Sequence, residues 1–282
     1  VILGFERPAP TERGVYPNIA HHAYHADRRS VSSSGMRRLN RTAPRQFKYE
    51  LDNPKVQSTK YFDLGTVVHT LVFGVGPEIV VVYYDAWRKD DAKAERQAAW
   101  DQGKTPILLH EYEQARAMAD AVLNHPIAGP LVAQSIPELS LYVEDPVTGI
   151  MMRARPDGYN DSGSPLILVD LKTSTTADPR AFGWSARDFG YDEQDAWYVD
   201  VVRLLGLAED VTFLFIVVAK EEPHLVSVVE LPPRAVARGR HFNRLALDRY
   251  AECRRTDIWP EFADDVLLVD LPRAAYYGLE LQ

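Results

Sequence analysis

The apolar positions of the chain change period several times, and each change marks an expected element. Residues 61–74 (YFDLGTVVHTLVFG) are apolar nearly all round a helical wheel, which predicts a buried helix. Gly65 and His69, four apart, share one of its faces. Residues 79–84 (IVVVYY) and 138–144 (ELSLYVE) read as strands. Residues 150–159 (IMMRARPDGY) and 166–172 (LILVDLK) flank the turn-rich NDSGSP and predict a hairpin. LILVDLK is apolar on both faces before Asp170, the mark of an interior strand. Two further strands are expected at 211–219 and 224–231.

Helical spacing runs from about 110 to 124, returns at 187–205, and continues in an Arg-rich helix from Pro232-Pro233 to about 255. One serine of Ser32-Ser33-Ser34 is expected to cap a short basic helix, and Pro44 permits another. Residues 85–105 read as a charged helical insert ended by Gly103, and residues 1–30 as irregular. Strands in the middle, with helices before, between and after, predict one α/β domain over residues 1–282. Its centre would be a mixed, partly antiparallel sheet flanked by helices, with an N-terminal helical segment.

The chain has 282 residues, 46% of them apolar, enough for a sizeable core. A single cysteine, Cys253, excludes a disulfide framework or a multi-cysteine metal site within one chain. The longest apolar run, Val211 to Ala219, is far short of the roughly 20 residues that span a bilayer. The opening VILGFERPAP lacks the pattern of a secretion leader, so a reducing, cytoplasmic setting is expected. Net charge is −8, which argues weakly against nucleic acid. The distribution argues otherwise. Between Arg28 and Lys48 stand seven basic residues and no acid, and between Arg234 and Arg255 stand seven arginines against Asp248 and Glu252. These are solvated helix faces or a track for phosphates.

The hairpin carries the chemistry. With a symmetric six-residue turn, Tyr159 would pair with Leu166 and Asp157 would oppose Leu168. Asp170 and Lys172, two apart, share a strand face, and Asp157 would lie diagonal to Asp170 on it. Arg153 and Arg155 would join that face, to hold a phosphate or to pair with acids. Two carboxylates in an apolar strand raise each other's pKa, and a hard divalent cation, Mg2+ or Mn2+, relieves the conflict. The plainer reading is a structural Asp–Lys ion pair.

Arg-Pro-Asp, twelve residues, then Asp-Leu-Lys, preceded by Gly-Thr-Val-Val-His and followed by Gln-x-x-x-Tyr, resembles the PD-(D/E)xK nuclease superfamily. Within it the chain is similar to the RecE-type phage exonucleases (exodeoxyribonuclease VIII-like) and, more distantly, to the RecB nuclease domain. The resemblance spans about residues 22 to 255. It implies metal ligation by His69, Glu138 (or the nearby Glu144), Asp157, Asp170 and the carbonyl of Leu171. It implies Lys172 as the catalytic lysine, with Gln194 and Tyr198 on one helix face to orient it or contact DNA. Arg37, Arg38, Arg41, Arg153 and Arg155 are the expected DNA contacts. The family further implies two Mg2+ ions per site, 5′→3′ degradation of one strand of linear duplex DNA, a single-strand annealing partner of RecT type, ring-shaped tetramers, and a phage or prophage origin. An endonuclease, an inert DNA-binding protein on the same fold and a small-substrate phosphohydrolase are the competing readings.

Overall fold

The computed structural model describes residues 8–53 and 60–277. The first seven residues, where no leader is expected, lie outside them. The strands are β1 (Gly14–Tyr16), β2 (Ser30–Ser32), β3 (Ile79–Val82), β4 (Thr105–Leu108), β5 (Ile136–Pro137), β6 (Ser140–Glu144), β7 (Met151–Ala154), β8 (Gly158–Asn160), β9 (Leu166–Ser174), β10 (Val211–Ala219) and β11 (Val226–Glu230). The helices are α1 (His21–Ala26), α2 (Ser33–Arg41), α3 (Pro44–Asp52), α4 (Lys60–Phe73), α5 (Asp90–Asp101), α6 (Leu109–Leu123), α7 (Ala128–Ala133), α8 (Pro179–Phe189), α9 (Tyr191–Leu204) and α10 (Pro233–Thr256).

The α/β class is as expected, but the strands divide among three sheets. Five form the order β11-β10-β9-β8-β5, four form β1-β6-β7-β2, and β3 pairs with β4. In the five-stranded sheet, β9 runs parallel to β10 and antiparallel to β8, so it is an interior strand of a mixed sheet. Its faces are both covered. Leu168, Phe213, Phe215 and Val217 pack with Trp197, Val201 and Val202 of α9. Val169, Ile216 and Val218 pack on the other side with Val67 and Val68 of α4 and Met118 of α6. The alternation is the two-residue period of a strand buried on both faces.

Four expectations need correction. Residues 150–159 are not one strand: β7 and β8 belong to different sheets, broken at Arg155-Pro156-Asp157. Pro156 offers no ladder N–H, so the pairing stops there. Second, Tyr159 pairs with Leu168 rather than Leu166. Asn160 Oδ1 accepts from the backbone and side chain of Ser162, starting the turn, while the Leu166 N–H donates to Asp210 O and Leu166 pairs with Val211. Third, 187–205 is two helices, separated at Gly190 in the left-handed region (φ 69°). Fourth, the segment before residue 30 contains β1 and α1, with β2 beginning at Ser30.

The charged insert is a β3–α5–β4 excursion with its own small core of Val82, Trp87, Ala92 and Leu108. The long helix α10 crosses α9 at Gly239, where an added Cβ would fall 2.0 Å from the carbonyl oxygen of Asp192. Much of its positive charge is held internally. Arg238 pairs with Asp192, Arg240 with Asp200, Arg244 with Asp145 and Asp248, and Arg255 with Glu252. Among the described residues no helix is long and apolar enough to cross a membrane.

Candidate active site

A cavity of about 640 Å³ opens where the ends of the two larger sheets meet α4, α1 and α2. The crossover from β5 to β6 brings Glu138 to it, and the crossover from β7 to β8 brings Asp157. The N–H of Glu138 donates to Asp157 O at 3.2 Å, tying the two crossovers together. Continuing the β8–β9 register one step places Asp157 opposite Asp170. The slip of two residues from the symmetric register conserves the face, because the side-chain period is also two. Asp170 and Lys172 share the α9 side of β9, as their spacing requires, and the Leu171 N–H donates to Asp157 Oδ2 at 2.7 Å.

Each carboxylate has a distinct environment. Asp170 is buried; Lys172 Nζ lies 2.5 Å from its Oδ2, and Gln194 Nε2 donates to its Oδ1 at 2.5 Å. The same Gln194 accepts from Lys172 Nζ at 3.1 Å through Oε1, so one amide fixes both residues. Burial, aided by the charge of Asp157, pushes the Asp170 carboxyl above the usual range despite Lys172. Asp157 is driven the other way. Burial would raise it, but His69, Lys172 and the Leu171 N–H outweigh burial and hold it below the usual range. Two neighbouring carboxyls pushed apart in this way are a mark of functional sites.

His69 Nε2 stands 3.4 Å from Asp157 Oδ1 and 3.9 Å from Glu138 Oε1. Burial alone would lower its pKa; Asp157, Glu138 and Asp170 together outweigh that and raise it to about 9. A histidine raised from 6.5 to about 9 contributes stability that is complete below pH 6.5 and lost as pH rises through 9. In EDTA the Tm of the wild-type chain should therefore fall across that interval relative to His69→Gln, by the equivalent of roughly 3 kcal/mol. Parallel Tm–pH curves for the two proteins would remove His69 from this role.

The family now follows from a match over most of the chain. A model described as a PDDEXK-like domain of unknown function (DUF3799) matches residues 32–271. The chain belongs to this family. No curated protein matches it. Among solved structures it is similar to a provisionally assigned exonuclease from Eubacterium rectale, with TM-score 0.64 and 14% identity over 94% of this chain and 100% of the other. It also matches a phage-related exonuclease from Haemophilus somnus 129PT, with TM-score 0.33 and 12% identity over 81% of this chain and 96% of that one.

In this PDDEXK-like domain His69, Glu138, Asp157, Asp170, Leu171, Lys172 and Tyr198 all line the one cavity, and Gln194 reaches it through Asp170 and Lys172. Glu144 is exposed at the far end of β6, so Glu138 is the acid at the site. Tyr198 OH donates to Arg155 O at 3.2 Å. Among the described residues no three His, Cys, Asp or Glu side chains already stand in a metal-holding arrangement. The acids are instead ion-paired with His69, Lys172 and Arg155. The donor set itself fits a hard divalent cation: three carboxylates and an imidazole face one polar cavity, with a proton on His69 compensating charge in the metal-free state.

The arginines separate into two groups. Arg37 lines the cavity and donates to the carbonyls of Phe189 (2.7 Å) and Gly190 (3.2 Å). Arg155 also lines it; its Nε donates to Ser140 Oγ and its Nη2 to Ile19 O, while Nη1 stands 3.7 Å from Glu138. Arg38 is outside the cavity, forked onto Glu50, and Arg41 lies 3.7 Å from Glu193. Arg153 is buried against Asp27 O and Ser30, beneath β2. Arg153 and Arg155 do share a face, both guanidiniums lying over the Tyr24 ring at 5.0 and 4.0 Å, but of the two only Arg155 lines the cavity with Asp157. Sequence reasoning missed His21, His25 and Lys220, which also line the cavity. The i, i+4 spacing of the two histidines was the available signal.

Proposed function

We propose that this chain is a divalent-metal-dependent nuclease that hydrolyses phosphodiesters of DNA. The observation that carries the reading is the convergence of Asp157, Asp170 and Lys172 with Glu138 and His69 in one cavity. His69, Glu138, Asp157, Asp170 and the Leu171 carbonyl would hold Mg2+, with Mn2+ as a substitute and two ions per site. Bound there, the metal supplies Lewis-acid stabilisation of negative charge on the phosphate oxygens.

The protein's own part follows from its contacts. Gln194 holds Lys172 Nζ against Asp170, so the ammonium is fixed before substrate arrives. From there Nζ donates to the attacking water or to the phosphate oxygen on which charge grows. Hydrolysis forms a bond from water oxygen to phosphorus and breaks the P–O3′ bond, leaving a 5′-phosphate. Arg37 and Arg155, at the cavity wall, oppose the charge of the flanking backbone.

The finer reading is a RecE-type exonuclease that acts 5′→3′ on linear duplex ends in the cytoplasm. It leaves a 3′ overhang for an annealing partner of RecT type and works as a homo-oligomer, a ring-shaped tetramer. Linear and closed-circular duplexes, labelled at either terminus, test this with Mg2+ and with EDTA. Release of 5′ label from linear DNA alone, abolished by EDTA, is expected. Cleavage of the closed circle would establish an endonuclease instead, and binding with no cleavage under any metal an inert fold.

A further inference from the structure

The cations around the cavity are unequally engaged. His69 faces Asp157 and Glu138, Lys172 faces Asp170, and Arg155 faces Glu138. Arg37 is taken up by two backbone carbonyls. Lys220 also lines the cavity, is half-buried, and has no ion-pair partner among the described residues. Its neighbours Glu221 and Glu222 are exposed. A lysine at a cavity wall with no counter-charge from the protein is free to meet an anionic group of a ligand.

The backbone of Lys220 is held on both sides. Its N–H donates to Ser174 O at 2.7 Å, extending the β9–β10 ladder past Ala219, and Gln114 Nε2 of α6 donates to its carbonyl at 2.7 Å. Val217 pairs with Lys172, so the backbone of Lys220 stands three residues, or about 10 Å, further along the sheet than that of the catalytic lysine. That length is more than one phosphate-to-phosphate step along an extended strand. A residue at that distance touches a neighbouring phosphate, not the reacting one.

We propose that Lys220 is a substrate-binding residue that holds a backbone phosphate about one or two nucleotides from the scissile bond. The ligand is thus an extended polynucleotide strand rather than a mononucleotide. The inference rests on the nuclease reading, and its test separates the two. Lys220→Ala and Lys220→Arg are compared with wild type on a dinucleotide with one phosphodiester and on a long duplex, in Mg2+. Binding of a fluorescent oligonucleotide is followed by anisotropy across a salt series in EDTA.

For Lys220→Ala, KM on the long substrate should rise about 5- to 10-fold with kcat nearly unchanged, and the dinucleotide should be cut as by wild type. The log K against log salt slope should shrink by about 0.7–0.9, and Lys220→Arg should restore both. An unchanged KM and salt slope, or an equal loss of kcat on both substrates, overturns the inference. If wild type cuts nothing yet its oligonucleotide binding depends on Lys220, the nuclease reading falls and the phosphate contact stands. If wild type neither cuts nor binds, both fall.

Discussion

Lys172→Ala is expected to lower DNA cleavage by at least about 10²–10³-fold while leaving oligonucleotide binding near wild type. Among the described residues this side chain is the one ion-pair partner of Asp170. Gln194 remains in the variant, but an amide contributes only a neutral hydrogen bond to Asp170. Loss of the ammonium also leaves a buried carboxylate without its counter-ion, a change worth about 3–5 kcal/mol when such a pair is broken. Asp170 is already pushed toward its protonated form by burial, so proton uptake will absorb part of that cost. The variant should therefore fold, melt at a lower temperature, and gain stability as pH is lowered. Circular dichroism fixes the folded fraction and single-turnover cleavage fixes the chemical step. Near-normal single-turnover rates in folded Lys172→Ala would falsify the catalytic assignment.

Gly239→Ala should be the most damaging methyl that can be added to a helix here. In isolation the change favours a helix by about 1 kcal/mol. At this crossing the new Cβ would meet Asp192 O at 2.0 Å and Glu193 N at 2.6 Å, both backbone atoms of α9. Neither can rotate away, so α9 and α10 must separate, at a cost expected to exceed the usual 1–3 kcal/mol of overpacking. A fall in Tm on the order of 6–12 °C follows for a chain of this size. Because α9 also carries Gln194 and Tyr198, activity should drop with stability. Gly183→Ala in α8 is the control: nothing lies within 4 Å of its Cβ position, and it should stabilise slightly. Equal melting temperatures for the two variants would mean that the helices part without strain.

The meeting of the two aspartates with Lys172 was legible because it depends on parity. Asp170 and Lys172 two apart, and Asp157 across a turn, meet on one face under any even register. The turn itself was misread, since Asn160 captures Ser162 and hands Leu166 to β10. His69, Gln194 and Tyr198 were singled out by the family resemblance; helical spacing added only the faces on which they lie. What escaped was set by partners distant in sequence. Three-residue strands such as β1 and β2 carry too little periodicity to be seen. The arginine-rich stretch of α10 reads as a charged surface until Asp192, Asp200 and Asp145 are brought beneath it. Arg153 reads as a phosphate ligand until β2 covers it. Lys220 is simply the residue after a strand until β9 is laid parallel beside that strand.

The turn between β8 and β9 has a consequence for descent. Residues 161–164 are exposed, and Asn160 closes the turn locally, while Asp157 and Asp170 are fixed by ladder pairing on the other side. Chain can be gained or lost at this tip without moving either carboxylate. The twelve residues between the two aspartates are then an accident of lineage rather than a requirement of the chemistry. Related chains are expected to keep the facing pair while the stretch that separates it drifts in length.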